Sequence, residues 1–276
     1  MELEILRSIQ SFSNPFLDFL FEGMTIMGEG AVLIAILTSI YWAVDKDLGE
    51  YIAFSFFTSM LLNNFIKDIF KSPRPVGKEG IRSLRVETAT GYSFPSGHSQ
   101  AAATFYGALA IYIKKNYLYI VSIIIILLIG LSRLYLGVHY PKDVIVGIIL
   151  GLITSWICYM VYTRVKNKLL LYLGVFIVFL PVLFMENSPD FIKSLGGYFG
   201  FLIGMWFEKT YINFTINRNT SKKIVRVLIG LILVGGLQGI LKIIFPLGNI
   251  FDFLRYAIMS FVGIGVYPLV FKKFNI

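Results

Sequence analysis

Two histidines, His98 and His139, are the only ones in this 276-residue chain, and each sits in a short run suited to phosphate esters. The first run is Pro95-Ser96-Gly97-His98. The second is Ser132-Arg133, a short gap, then His139 and Asp143. Histidine is the side chain best suited to proton transfer and nucleophilic attack near neutral pH. Asp143 lies within reach of His139 across one helical turn, where a carboxylate on one imidazole nitrogen fixes the tautomer and leaves the other free to attack. His98 stands in the first turn of a predicted helix, where free backbone N–H groups and the positive helix end favour an anion. Ser96 can cap that helix and donate its hydroxyl, and Gly97 lets the backbone approach an oxygen closely.

Cationic side chains extend the anion site. Lys67 ends an apolar stretch, and Arg74 follows between Pro73 and Pro75, which restrict its backbone on both sides. A rigid arginine presents a planar fork matched to two phosphate oxygens. Lys71, Lys78, Arg82 and Arg85 fall in the same loop, which reads as an anion-binding mouth. Two histidines, the single Cys158 and scattered carboxylates make no familiar zinc set. Magnesium bridged by phosphate stays open as an alternative, but the cationic side chains would compete with it. Metal-independent chemistry without a cofactor is therefore expected.

Composition fixes the solvent around these residues. Hydrophobic residues make up 57% of the chain, charged residues 15%, and the mean hydropathy is +0.75. Soluble domains are about a quarter charged, so an all-α, polytopic transmembrane bundle is expected. Apolar windows of spanning length fall near 25–44, 48–68, 96–113, 117–134, 142–163, 168–185, 193–208, 224–243 and 251–270, about nine in all. Residues 1–24, broken at Asn14-Pro15, read as an interfacial amphipathic segment, and Met1-Glu2-Leu3-Glu4 lacks the basic start of a signal peptide. Residues 25–163 hold the motifs, and 164–276 add further transmembrane helices to the same membrane domain. Lys114-Lys115, Arg164 to Lys168, Lys209 to Arg226 and Lys272-Lys273 share one side if the spans alternate, which makes that side and the C-terminus cytoplasmic. The motif loops then face the extracytoplasmic surface. Cytoplasmic loops account for most of the net charge of +9, so nucleic acid is not an expected partner.

Taken together, Lys67-x6-Arg74-Pro75, Pro95-Ser96-Gly97-His98 and Ser132-Arg133-x5-His139-x3-Asp143 resemble the complete three-part signature of the type-2 phosphatidic-acid phosphatase superfamily, which includes membrane lipid phosphatases, glucose-6-phosphatase and the vanadium haloperoxidases. The resemblance covers roughly residues 48–163, and the overall layout is more loosely similar to glucose-6-phosphatase and the sphingosine-phosphate phosphatases. It implies an all-helical membrane bundle with the site at the outer surface. By the same resemblance His139 is the nucleophile that forms a phosphohistidine, Asp143 orients it, and His98 protonates the leaving alkoxide. Lys67, Arg74, Ser96, the Gly97 amide and Arg133 would hold the phosphoryl oxygens. Opposite protonation states of the two histidines imply a bell-shaped pH–rate profile.

The expected substrate is a lipid phosphate presented by membrane lipids, with undecaprenyl diphosphate or a phospholipid phosphate favoured and a bacterial plasma membrane as the location. A glucose-6-phosphatase-like or sphingoid-phosphate phosphatase, a lipid phosphotransferase and a haloperoxidase remain alternatives. A non-enzymatic lipid transporter or scaffold would be expected to lack catalytic residues, and none is missing. Gly196, Gly200 and Gly204, then Gly235 and Gly239, recur at four-residue spacing, which suits close helix packing within one subunit or a homodimer.

Overall fold

The computed structural model describes residues 1–274 and 276, which form helices and connecting loops without a strand among them. In chain order the helices are α1 (Glu2–Gln10), α2 (Pro15–Ile26), α3 (Gly30–Ala43), α4 (Lys46–Phe70), α5 (Gly97–Ile113), α6 (Asn116–Tyr135), α7 (Pro141–Arg164), α8 (Lys168–Phe179), α9 (Pro189–Phe207), α10 (Thr220–Ile244), α11 (Asn249–Phe261) and α12 (Pro268–Phe274). Two compact units are formed, one from Met1–Leu33 with Leu62–Tyr159, the other from Ile34–Leu61 with Met160–Ile276. All eight candidate site residues belong to the first.

In the first unit the boundaries of α5 to α7 follow from local chemistry. Ser96 caps α5, its Oγ accepting from the Ser99 amide, and Lys114 ends the helix in the left-handed region at φ 57°. Pro141 opens α7 at a position where its missing N–H costs nothing. Between α6 and α7, Gly137 has φ +65°, and a Cβ there would lie 2.2 Å from the Arg82 carbonyl oxygen, so only glycine fits. Helices α5 and α7 approach backbone to backbone. A Cβ on Gly147 would stand 2.8 Å from Ser96 O, and one on Gly151 2.5 Å from Gln100 O.

The long loop 71–96 is fastened at several points. Leu84 N donates to Leu136 O at 3.0 Å, and Ser93 N donates to Ser72 O at 2.9 Å. Beneath it Tyr135, Leu136 and Val138 form a buried apolar cluster with Ile9, Leu17, Phe21, Val76 and Leu84. Burying such side chains contributes about 1.5–3 kcal/mol each. Gln10 of α1 completes the fastening: its Nε2 donates to Arg82 O and Tyr135 O at 2.6 and 2.9 Å, while its Oε1 accepts from Arg82 N at 3.0 Å.

In the second unit the α9 glycines serve packing inside the chain. A Cβ on Gly196 or Gly200 would meet the carbonyl oxygens of Phe253 or Ala257 on α11 at 2.3 and 2.1 Å. Gly235 and Gly239 have no such neighbour within 4 Å. Buried carboxylates here are paired, as burial of charge requires. Glu50 accepts from Tyr172 OH and Lys209 Nζ, both at 2.5 Å, and Glu208 accepts from Lys46 Nζ at 2.7 Å.

Among the described residues, length and apolarity alone account for four or five of the expected nine crossings. Four helices among the described residues are long and apolar enough to cross a membrane: Asn116–Tyr135, Pro141–Arg164, Thr220–Ile244 and the broken run Asn249–Phe274. The bent pair α2 and α3, at 50°, makes a fifth if it counts as one span. The other windows fall on helices that are too short or too polar by that measure. Helix α5 has 17 residues, α8 has 12, and α4 carries Lys46, Asp47, Glu50, Lys67 and Asp68 near its ends with Ser55, Ser59 and Asn63 buried along it. The chain is thus a multi-pass, all-helical membrane protein.

Candidate active site

The loop between α6 and α7 carries His139, which is buried at 1% exposure. Arg74 Nη1 lies 2.9 Å from its Nε2. A guanidinium can only donate, so Nε2 is the acceptor and the imidazole proton resides on Nδ1. That nitrogen faces Ser93 Oγ at 3.3 Å and Asp143 Oδ2 at 3.4 Å. Asp143 Oδ2 is itself fixed, accepting from Ser93 Oγ at 2.5 Å and from the Tyr140 amide at 2.9 Å. Burial, reinforced by the charges of Arg74, Arg133 and Lys67, holds the His139 imidazole well below the ordinary histidine range. It is therefore neutral, with the Nε2 lone pair turned away from the carboxylate.

Arg74 donates widely. Besides His139, Nη1 donates to Val138 O at 3.0 Å, Nη2 donates to Thr90 O and Tyr92 O at 2.6 and 3.2 Å, and Nε donates to Gly91 O at 3.1 Å. Its five N–H groups are all engaged by protein acceptors. To hold a phosphoryl oxygen, Nη1 has to exchange its bond to His139 for one to that oxygen. Lys67, at the end of α4, donates its ammonium to Tyr92 O, so the same carbonyl gathers both cations.

The start of α5 closes the other side. Ser96 N donates to Asp143 O at 2.9 Å, which ties the Pro-Ser-Gly-His run to α7. Asn63 of α4 donates to Gln100 Oε1 at 2.8 Å and braces the first turn from behind. A Cβ on Gly97 would meet only Asn63 Oδ1, at 3.5 Å, an ordinary contact. Packing alone does not demand glycine there. His98 is half-buried, and its Nε2 is buried with no hydrogen-bond partner among the described residues.

Arg133, in the last turn of α6, is fully buried. Its Nη1 donates to Thr25 Oγ1 at 2.6 Å, whereas Nε and Nη2 have no partner among the described residues. Three unpartnered guanidinium N–H groups, one on Nε and two on Nη2, are a strong anion-binding feature in a buried setting. The loop cations are less uniform than an anion-binding mouth would require. Arg82 forms a two-point ion pair with Asp18, and Arg85 pairs with Glu29 at 2.6 Å. Among the described residues no group of three or more His, Cys, Asp or Glu side chains has the spacing to hold a metal ion.

Two family models match the chain. Residues 49–167 match the PAP2 superfamily, and residues 192–276 match the PAP2 superfamily phosphatase transmembrane extension. Phosphatidylglycerophosphatase B of Bacillus subtilis is 32% identical over 154 residues, spanning 51% of this chain and 72% of that protein. The chain belongs to the PAP2 superfamily. The crystal structure of Aquifex aeolicus LpxE shares the PAP2 fold with it, at 28% identity and a TM-score of 0.52, over 58% of this chain and 94% of that one. Mouse sphingosine-1-phosphate phosphatase 2 is 26% identical over 160 residues, 56% of this chain but only 45% of that longer relative. This PAP2 member is a phosphatase, and every candidate named from sequence lies inside the segment matched to the superfamily.

Two residues that contact the candidate site carry no distinctive sequence signal. Ser93 is an isolated serine, brought to Asp143 by the Ser93–Ser72 backbone bond. Thr25 lies before the matched segment and meets Arg133 only through the packing of α2 on α6.

Proposed function

We propose that this PAP2 phosphatase hydrolyses a lipid phosphate at the extracytoplasmic membrane surface through a phosphohistidine on His139, without a metal ion. The observation that carries the reading is the Arg74 to His139 Nε2 bond, because it assigns the proton to Nδ1 and the attacking lone pair to Nε2. In the first step Nε2 attacks phosphorus, the ester P–O bond breaks, and His98 gives its proton to the leaving alkoxide. In the second step water attacks the phosphohistidine and His98 takes a proton from it. The P–N bond breaks, releasing inorganic phosphate and neutral His139. Lys67, Arg74, Ser96, the Gly97 amide and Arg133 bind the phosphoryl oxygens and stabilise the charge that develops on them. Asp143 and Ser93 keep the Nδ1 proton in place throughout.

Topology supports the outer surface. The basic clusters at 114–115, 164–168, 209–226 and 272–273 lie at the opposite ends of helices from the motif loops when the spans alternate. Helices α4 and α5 also cross in this reading. Their low apolarity is tolerated because Ser55, Ser59, Asn63, Ser99 and Thr104 are buried in protein, not exposed to lipid. With α8 and α9 read as crossings too, the count is nine and the C-terminus is cytoplasmic, in a bacterial plasma membrane.

The likeness to phosphatidylglycerophosphatase B supports a phospholipid phosphate, with undecaprenyl diphosphate as the companion candidate. The likeness to sphingosine-1-phosphate phosphatase 2 makes a sphingoid phosphate the comparison substrate. The deciding experiment is phosphate release by purified protein in EDTA from each of these lipids and from glucose 6-phosphate. Lipid substrates are expected to dominate, free phosphate to be the product, and H139A to release none. Activity confined to glucose 6-phosphate would overturn the lipid assignment, and an active H139A would overturn the nucleophile.

A further inference from the structure

The bend between α2 and α3 lies ahead of the segment matched to the superfamily, yet four residues around it, Thr25, Met27, Gly28 and Glu29, reach α5, α6 and the motif loop. Thr25 is fully buried, and its Oγ1 accepts from Arg133 Nη1 at 2.6 Å. Met27 O accepts from Tyr106 OH of α5 at 3.4 Å. A Cβ on Gly28 would lie 2.7 Å from Ile129 Cγ2, one turn before Arg133 on α6, and 3.5 Å from His98 O. Glu29 Oε1 accepts from Arg85 at 2.6 Å. The bend is thereby seated against α5, α6 and the motif loop at once.

Among the described residues the Thr25 hydroxyl is the only hydrogen-bond acceptor that the Arg133 side chain has. The guanidinium is planar and rigid, so fixing one N–H fixes the direction of the others. A carboxylate in this place would hold Arg133 equally well but would neutralise it. A hydroxyl holds it and leaves the full positive charge for an incoming anion. Elsewhere in the same unit Arg82 and Arg85 do pair with carboxylates, Asp18 and Glu29, so the difference at Arg133 is specific.

We propose that the α2–α3 bend is a fourth element of the site and that Thr25 is the positioning residue that aims Arg133 at the phosphoryl group. The inference rests on Arg133 being a phosphoryl ligand, as read above. It assigns a role in phosphate recognition to a segment that the three sequence motifs do not reach.

The test measures the inhibition constant of orthovanadate, a phosphate mimic, together with kcat and KM, for T25V, T25S, R133K and T25V/R133K in purified full-length protein. T25V, nearly isosteric but without the acceptor, is expected to raise the vanadate constant by about tenfold, the scale of a buried hydrogen bond to a charged group. T25S keeps the oxygen and is expected to stay within about threefold of the wild type. Because Thr25 acts through Arg133, the double variant should bind vanadate no more weakly than R133K alone. An unchanged constant in T25V, or additive losses in the double variant, overturns the role of Thr25 if R133K itself is impaired. An unimpaired R133K overturns instead the reading of Arg133 as a phosphoryl ligand. If T25V does not accumulate, T25A carries the same expectation.

Discussion

Ser93 Oγ donates to Asp143 Oδ2 at 2.5 Å and lies 3.3 Å from His139 Nδ1, slightly nearer to that nitrogen than the carboxylate itself. The serine thus stands inside the His139–Asp143 pair. Its hydroxyl can give its hydrogen to the carboxylate while its oxygen accepts from Nδ1–H. Orientation of the proposed nucleophile is shared by two residues.

Removing that hydroxyl leaves Asp143 Oδ2 with the Tyr140 amide and the longer contact to His139 Nδ1. S93A is expected to lower kcat by about tenfold or more, the scale of a hydrogen bond to a charged group, with little change in KM. Steady-state kinetics on a lipid phosphate check this, and an unchanged kcat would remove Ser93 from the site.

The acid side of the pH profile follows from His139. Protonation of Nε2 would abolish attack, and burial with Arg74, Arg133 and Lys67 nearby keeps that nitrogen unprotonated well below about pH 6.5. kcat/KM should therefore stay level as pH falls through the ordinary histidine range, with its acid limb lower still. R74M removes one of the depressing charges and should move that limb upward. Stability runs in the same sense: below about pH 6.5 the unfolded chain binds a proton that the folded chain refuses, so this residue's stabilisation is complete above that pH and declines below it. A wild-type acid limb at or above the ordinary histidine value would contradict the assignment.

Two glycines of the same region separate chemistry from packing. At Gly97 a methyl group meets nothing closer than 3.5 Å, so G97A should fold with unchanged thermal stability in detergent and lose activity. At Gly147 the methyl would stand 2.8 Å from Ser96 O. G147A should cost about 1–3 kcal/mol of stability through overpacking. Thermal unfolding paired with phosphate release distinguishes the two, and a destabilised G97A would mean that the protein itself needs glycine there.

Sidedness is open to direct chemistry. In a C158A background, Lys78→Cys in the motif loop should react with a membrane-impermeant thiol reagent on intact cells. Arg218→Cys, exposed before α10, should react only after permeabilisation. Reversal of the two would place the site on the cytoplasmic side.

Much of the candidate site is legible in the sequence because its parts are local. Pro-Ser-Gly-His starts a helix that Ser96 caps, and His139 with Asp143 spans a single helical turn. Ser93 and Thr25 were not legible, since each acquires its partner through a contact between distant segments: Ser93 to Asp143 across fifty residues, Thr25 to Arg133 across 108. Arg74 was legible as a cation but not as a donor already engaged by four carbonyls. Helices were easier to find than crossings, because hydropathy measures what faces lipid, whereas α4 and α5 turn polar side chains toward protein.

The contrast between the two site arginines bears on the design of inhibitors. Arg133 offers N–H groups that no other side chain or carbonyl among the described residues claims, whereas Arg74 must first let go of His139. A compound that satisfies Arg133 and the α5 amides while leaving Arg74 undisturbed would not have to break the Arg74–His139 bond. A close copy of the phosphate group would, and its association should be the slower of the two.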